Sequence, residues 1–474
     1  MKKMKWNLQQ INLWINGKII SEIQTEFSEI GTDTRRDLNQ KIFIALSGDQ
    51  YDANNYLDKA VEAGAGLLIV SQIRPEFEHL KNKVSLILVD DTLLALQNFA
   101  TEYRKTLDTK IIAITGSNGK TTTKEFTAVM LNQYKLTHFN QGSFNNHWGV
   151  PLTLLEINSD HEMAVIEMGM NHAGEITRLV EIAKPNYVVC TMVGRAHIEF
   201  FGTEKKIAEA KQEIYMASDE NTVRIYNQDQ DLTFDMMYPS AKKFPAGRML
   251  SFSEKNKEAD VYFKLESTNQ DGLKIHGQIG TVLGIAEVPI FGEHNLVNLM
   301  AAATICYAVG MKPENIWHSL VHCKSAWGRN QFIKAKNNID ILFDGYNANP
   351  DSMQALVKNV SQLKVKNRKI GVFGQMRELG HHSPSLHQEL GFSVGHEKFD
   401  FIFFIGEDFK NFELGLKKSQ FTNYQLDSDL TAALQEYFLN FIQPEDFIFI
   451  KGSRGIETER FVKLCSPIDW TAKK

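Results

Sequence analysis

One segment restricts the possible folds of this chain more than any other. An apolar run, Ile111-Ile112-Ala113-Ile114-Thr115, is followed by Gly116-Ser117-Asn118-Gly119-Lys120-Thr121-Thr122-Thr123-Lys124, and then by a helix-like stretch over residues 125–131. Strand, glycine turn and helix in that order form a phosphate-binding loop. The glycines let backbone N–H groups converge on phosphate oxygens, and the helix start adds its positive dipole end. Lys120 is placed to reach the outer phosphates, and the Thr121 hydroxyl a magnesium ion. Ile114 stands where the first glycine of the usual G-x-x-x-x-G-K-[ST] pattern belongs. A glycine-rich turn with a surface lysine is the plain alternative, and the flanking strand and helix oppose it. A nucleoside triphosphate site is expected at Gly116, Ser117, Asn118, Gly119, Lys120, Thr121 and Thr122.

At 474 residues the chain exceeds one compact core, so several domains are expected. A formal charge of −5 gives no support to a nucleic-acid or acidic-membrane partner. The four cysteines, Cys190, Cys306, Cys323 and Cys465, form no C-x-x-C pair, which fits reduced thiols better than a disulfide framework or zinc site. The first residues lack the apolar centre of a signal peptide. No run approaches the roughly 20 apolar residues that span a bilayer. A soluble cytoplasmic protein without membrane insertion is the expectation.

The chain divides by pattern into residues 1–107, 108–326 and 327–474. The first segment has short apolar runs at 41–46 and 66–70 and a helical stretch over 93–107. The second holds the phosphate loop and further units of strand followed by polar loop. The third alternates strands at 339–343, 369–373, 401–405 and 447–450 with helical stretches. Such alternation predicts an α/β protein with mainly parallel sheets covered by helices.

Polar residues recur where those strands end, the position at which open parallel sheets bind ligands. Glu167 closes one strand and His197 lies just past another. Asp344, the loop Gly374-Gln375-Met376-Arg377-Glu378-Leu379-Gly380 and Lys451-Gly452-Ser453-Arg454 occupy the same kind of place. Two sheets whose strand ends face a shared cleft follow from this. Glu167 is a hard oxygen donor suited to magnesium, whereas the His197 imidazole is an unusual ligand for it. Each also has a plain alternative, as a turn-capping carboxylate and a core histidine. Asn145 and Asn146 follow a glycine and read as turn residues. Asn295 reads as a helix cap, and Lys211, in a helix of mixed charge, as a solvated lysine.

The segments GSNGKTTTK, NNHWGVPLTLL, VIEMGMNHAGEI, HIEFFGTEKKIAEAKQEIY, GEHNLVNLMAA, WGR, YNANPDSM, GQMRELG and KGSR occur in this order. As an ordered set they resemble the Mur ligase family of peptidoglycan synthesis, from about Thr32 to Val462. The resemblance implies three domains: 1–107 for a uridine-diphosphate sugar, 108–326 as a central ATPase, and 327–474 as a Rossmann-like domain. It implies ATP and Mg²⁺, with Lys120 on the phosphates and Thr121, Glu167 and His197 at the metal. Lys211 would be carbamylated, which turns a cation into a carboxylate-like group beside the metal. Lys120, Lys211 and His197 are thereby the catalytic candidates. Asn295 and Asn298 would lie near the adenine, and Arg329, Asp344 and Asn347 would approach the nucleotide from across the domain boundary. That placement requires the cleft to shut.

Thr34 and Arg35 fall in a segment similar to the family's nucleotide-sugar site, with Thr34 where serine is common. Asn145 and Asn146 join them as substrate-side candidates. Residues 346–353 resemble the branch that joins D-alanyl-D-alanine to UDP-N-acetylmuramoyl-tripeptide, and a monomer is expected. There are departures. Asp52-Ala53-Asn54 stands where Asp-Gly-His is frequent, Phe343 precedes Asp344 where paired aspartates are frequent, and Arg195 replaces a small residue. Three competing readings remain: another amino-acid-adding member, a folylpolyglutamate synthetase-like enzyme, and an ATP-hydrolysing switch or scaffold.

Overall fold

Three large sheets organise the described residues, each taking its strands from a different third of the sequence, and two two-stranded sheets accompany them. The computed structural model describes residues 5–48, 51–140, 142–361, 363–468 and 470–472. The N-terminal sheet runs Lys18–Ser21, Ser85–Leu88, Leu67–Val70, Ile42–Ile44, Ile30–Gly31, parallel except at its first pair. The central sheet has nine strands and the C-terminal sheet six. With helices between the strands, this is the α/β architecture expected from the alternation.

In the parallel part of the central sheet Lys110–Thr115 is flanked by Met163–Glu167 and Tyr187–Cys190 in parallel. Ile111, Ile112, Ala113 and Ile114 are all fully buried, because a parallel strand covered on both faces has no polar side to show. Register then does the positioning. Ile114 pairs with Glu167 and Thr115 with Cys190, so Glu167 is delivered beside the phosphate loop that begins one residue later. In the C-terminal sheet Asp344 pairs with Lys451 across the parallel strands Asp340–Asp344 and Phe447–Lys451, which sets a buried ion pair at their carboxyl ends.

Two features differ from the sequence expectation. The strand read through Val193 ends at Cys190, because Thr191 to Gly194 leave the ladder to hold the phosphate loop. Met192 O, for example, accepts from Ser117 N at 2.8 Å. The central sheet also extends into antiparallel hairpins, Val261–Thr268, Leu273–Ile279 and Val282–Val288. The last alternates sides, leaving Leu283 and Ile285 exposed while Val288 is buried. A strand covered on one face only can alternate in this way.

Candidate active site

The phosphate loop is built on two glycines that no other residue can replace. Gly116 has φ 148° and Gly119 φ 82°. A Cβ at Gly116 would lie 2.0 Å from Thr191 Oγ1, and one at Gly119 2.0 Å from Asn298 Oδ1. Around them the loop is pinned by its neighbours. Thr191 Oγ1 donates to Asn118 O at 2.6 Å, and Ser117 Oγ donates to Gly194 O at 3.0 Å. Helix Lys120–Leu131 starts directly after Gly119, so its free N–H groups open toward the loop. Lys120 Nζ folds back to donate to Gly116 O at 2.8 Å. Burial lowers the Lys120 pKa, the Glu167 carboxylate opposes that shift, and Arg329 adds to it. Thr122 is half-buried on the first turn.

Glu167 is buried and engaged at both oxygens: Thr121 Oγ1 donates to one at 2.8 Å and Asn145 Nδ2 to the other at 2.7 Å. Asn145 therefore joins the site, while Asn146 does what turn chemistry predicts, its Oδ1 accepting from Gly149 N at 2.9 Å. His197 sits at φ 65° with Nδ1 2.8 Å from Glu378 Oε2, close but not in hydrogen-bond alignment. Burial pushes the imidazole pKa down, whereas Glu378 pulls it up. That contact holds the Glu378 carboxyl below its usual range.

Lys211 corrects the reading from composition. It is 1% exposed, not solvated, and has no hydrogen bond or ion pair among the described residues. Burial first, then the positive charge of Lys120, pulls its pKa down to about 7. The signal was present in the spacing, because Ile207, Lys211, Ile214 and Tyr215 share one buried stripe of helix Glu204–Met216.

From the C-terminal side Arg329 Nη2 reaches 3.5 Å from Thr121 Oγ1, and its guanidinium lies 4.5 Å from the Tyr346 ring centroid. Asp344 takes the Lys451 ammonium as its partner and accepts from Asn330 N at 3.3 Å. Lys451 also donates to Asn347 O at 3.2 Å. Asn295 and Asn298 are linked to each other at 3.0 Å, and Thr123 Oγ1 is 3.4 Å from Asn298 Oδ1. His294, beside them, is half-buried, with Nε2 2.9 Å from the Asn330 amide and Nδ1 3.3 Å from that of Asn359.

A cleft of about 1930 Å³ runs from the phosphate loop past Asn145 and Glu167 to Arg35 in the N-terminal segment. Arg35 lines it and clasps Asp33 through Nε and Nη2 at 2.8 and 2.9 Å. Thr34 is half-buried next to Arg35 but is not part of the lining. Three residues of the site were not singled out from the sequence. Glu378 meets His197, Asp351 meets Arg195, and Asn349 exchanges amide hydrogen bonds with Asn118 at 2.7 and 3.3 Å. Each lay within a recognised segment, but a segment does not say which of its side chains crosses the cleft.

The family model of the Mur ligase middle domain matches residues 114–306, and that of the Mur ligase glutamate ligase domain matches residues 328–454. A Bacillus subtilis protein named UDP-N-acetylmuramoyl-tripeptide–D-alanyl-D-alanine ligase is 34% identical, with 93% of each chain covered. Its Escherichia coli counterpart of the same name is 31% identical over 96% of this chain and 97% of the relative. A crystal structure of MurF from Acinetobacter baumannii superposes with TM-score 0.87 at 30% identity, covering 98% of this chain and all (100%) of that one. The phosphate loop, the facing strand ends and these full-length likenesses agree: the chain belongs to the Mur ligase family.

Proposed function

We propose that this enzyme joins D-alanyl-D-alanine to UDP-N-acetylmuramoyl-tripeptide, consuming ATP and releasing ADP and phosphate, as a cytoplasmic monomer. The observation that carries the reading is the meeting of Lys120, Thr121, Glu167 and His197 with Arg329 at one end of a cleft whose other end holds Arg35, with Lys211 buried near enough to Lys120 to feel its charge. Relatives bearing the name of that reaction match over nearly the whole chain.

The chemistry follows from the acceptor. A peptide carboxylate repels an incoming amine and offers no leaving group. Transfer of the γ-phosphoryl group of ATP to that carboxylate forms an acyl phosphate and ADP. The amine of D-alanyl-D-alanine attacks the acyl carbon, the C–O bond to phosphate breaks, and the amine loses its proton as the amide forms. Lys120 and Arg329 are the cations available to the charge spread over the phosphoryl oxygens, the help that dominates phosphoryl transfer. The free backbone N–H groups of the loop from Gly116 to Thr122, all but that of Ser117, which donates to Met192 O, cradle the other phosphates. Asn295 and Asn298 border the base, and Asp344 and Asn347 approach the nucleotide from the C-terminal side. Asn145 and Asn146 line the route to the Arg35 end, and Arg35, with Thr34 beside it, takes the nucleotide sugar in this reading.

Magnesium fits the donors present. The Thr121 hydroxyl and the Glu167 carboxylate are hard oxygens 2.8 Å apart, and His197 Nδ1 is buried without an aligned hydrogen bond. Magnesium commonly keeps water and substrate phosphates in its shell beside one or two protein oxygens. When bound, it would neutralise charge on the transferring phosphoryl group. Lys211 fits carbamylation, since burial leaves a large share of its amine unprotonated near neutral pH. The division into 1–107, 108–326 and 327–474 as nucleotide-sugar, ATPase and Rossmann-like domains is part of the same proposal, and each sheet lies within one of these ranges.

Phosphate release measured with each candidate amine tests the assignment. Turnover is expected with D-alanyl-D-alanine and the tripeptide nucleotide. Activity with lysine or meso-diaminopimelate on a dipeptide nucleotide instead would overturn it, as would ATP hydrolysis indifferent to any amine. Lys211→Ala is expected to lose most activity and regain part of it with a small carboxylic acid. A fully active alanine variant would end the carbamylation assignment.

A further inference from the structure

Arg195 stands two residues before His197, at a position the reaction scheme leaves unused. Its backbone N donates to Asp351 Oδ2 at 2.6 Å, and its Nε donates to Asp351 Oδ1 at 3.0 Å. Its Nη1 is 3.3 Å from Glu389 Oε2, and Glu389 in turn accepts from Gln354 Nε2 at 2.7 Å. Asp351 and Gln354 belong to helix Pro350–Ser361, and Glu389 to helix Ser383–Gly395, both in the C-terminal third. The Arg195 side chain is 22% exposed, Asp351 25% and Glu389 47%, so water and salt reach the cluster. The adjoining residue has no room to vary, since a Cβ on Gly194 would lie 2.4 Å from Asp351 Oδ2. Gly194 also exchanges hydrogen bonds with the Ser117 hydroxyl of the phosphate loop, at 2.9 and 3.0 Å.

We propose that Arg195 is a positioning residue: by clasping Asp351 and Glu389 of the C-terminal third it fixes the turn that carries Gly194 and His197, so that closing the cleft and setting the phosphate loop are one event. The turn has a short path in both directions. Toward the loop it passes through Gly194 to Ser117. Toward the metal ligands it passes to His197, whose Glu378 partner comes from the same C-terminal third as Asp351. Asp351 suits the role because it lies in the first turn of its helix, where the dipole favours a carboxylate. Its two oxygens accept from the Arg195 backbone N and from Nε, while Nη1 of the same guanidinium turns to Glu389, so one planar group serves two carboxylates as a single ammonium would not. A clasp of partly exposed charges is also reversible. It weakens as ionic strength shortens the screening length, and it can open for product release.

The inference rests on the ligase reading only for its kinetic arm. Arg195→Ala, Arg195→Lys and the unaltered enzyme are compared in two ways. Small-angle scattering of the ligand-free chain, at low and at about 1 M salt, needs no substrate. The unaltered chain is expected to expand as salt rises, and Arg195→Ala to be expanded already at low salt. In the ADP-release assay Arg195→Ala is expected to lose about tenfold in kcat. Its KM for the nucleotide sugar should change less than about twofold, because that site lies at the far end of the cleft. The salt dependence of kcat should flatten in the alanine variant, and Arg195→Lys should recover part of the loss. Arg195→Ala with unaltered scattering and unaltered salt dependence overturns the proposal. So does a loss of kcat that merely follows a lowered melting temperature. Absence of ligase activity in every variant would refute the proposed function, while the scattering arm would still decide the clasp.

Discussion

The two ends of the cleft use charge differently. At the phosphate end, Glu167, Asp344 and Lys451 are buried on strands fixed by register, and Lys120 and Lys211 are half-buried and buried on helices. At the other end, Arg35 and Asp33 pair on an exposed turn, with the arginine side chain 88% exposed. The Arg35 hydrogen bonds hold the Asp33 carboxyl down at about 2, yet water screens that pair and it adds little to stability. Charges at the first end are part of the architecture, whereas charges at the second are free to serve a ligand. Substitutions should therefore separate cleanly, with folding and chemistry lost at one end and binding alone at the other.

Lys120→Ala makes the sharpest test of that contrast. Removing the cation at the transferring group should lower turnover by at least about a thousandfold, read as ADP formation. Near-normal turnover would break the comparison at its strongest point. Next comes Lys451→Met, which leaves the buried Asp344 without its partner. A loss of about 3–5 kcal/mol is expected in urea unfolding, against little change for Arg35→Ala.

A smaller effect, confined to acid, belongs to His294. Burial holds its pKa down at about 4, with Asp344 raising it and Lys451 lowering it. The unfolded chain takes up this proton near pH 6.5 and the folded chain only near 4. The unfolded state therefore binds more protons between these values, and stability contributed by neutral His294 is lost as pH falls through that window. The loss amounts to about 3 kcal/mol. Melting temperatures from pH 7 down to pH 4 should fall less steeply in His294→Gln than in the unaltered chain, and parallel curves would contradict the assignment. The smallest stability effect is expected for Arg35→Ala, within about 0.5 kcal/mol, together with a raised KM for the nucleotide sugar and an unchanged kcat.

The same contrast decides what could be read from the sequence. The parallel strands and the phosphate loop were legible because their requirements are local: unbroken apolar runs, glycines at positive φ, and polar residues where strands end. Glu167 was found by that rule, and register explains why it works. Lys211 was misread from composition, because mixed charge around it hid the apolar stripe of Ile207, Ile214 and Tyr215 that carries it inward. The hairpins from Val261 to Val288 were missed because a half-covered antiparallel extension shares its short apolar runs with strand-and-loop units. Glu378, Asn349 and Asp351 depend on how two sheets meet, which no local pattern encodes. At the Arg35 end, exposed polar residues leave no packing signature, and Thr34 is not among the residues that line the cleft.

The central claim is that the terminal carboxylate of the tripeptide is activated by phosphorylation. The most direct measurement supplies that carboxylate labelled with heavy oxygen and follows the label by mass spectrometry during turnover with ATP and D-alanyl-D-alanine. Each released phosphate is expected to carry one labelled oxygen, and the new amide to retain the other. Unlabelled phosphate released alongside lengthened product would contradict it.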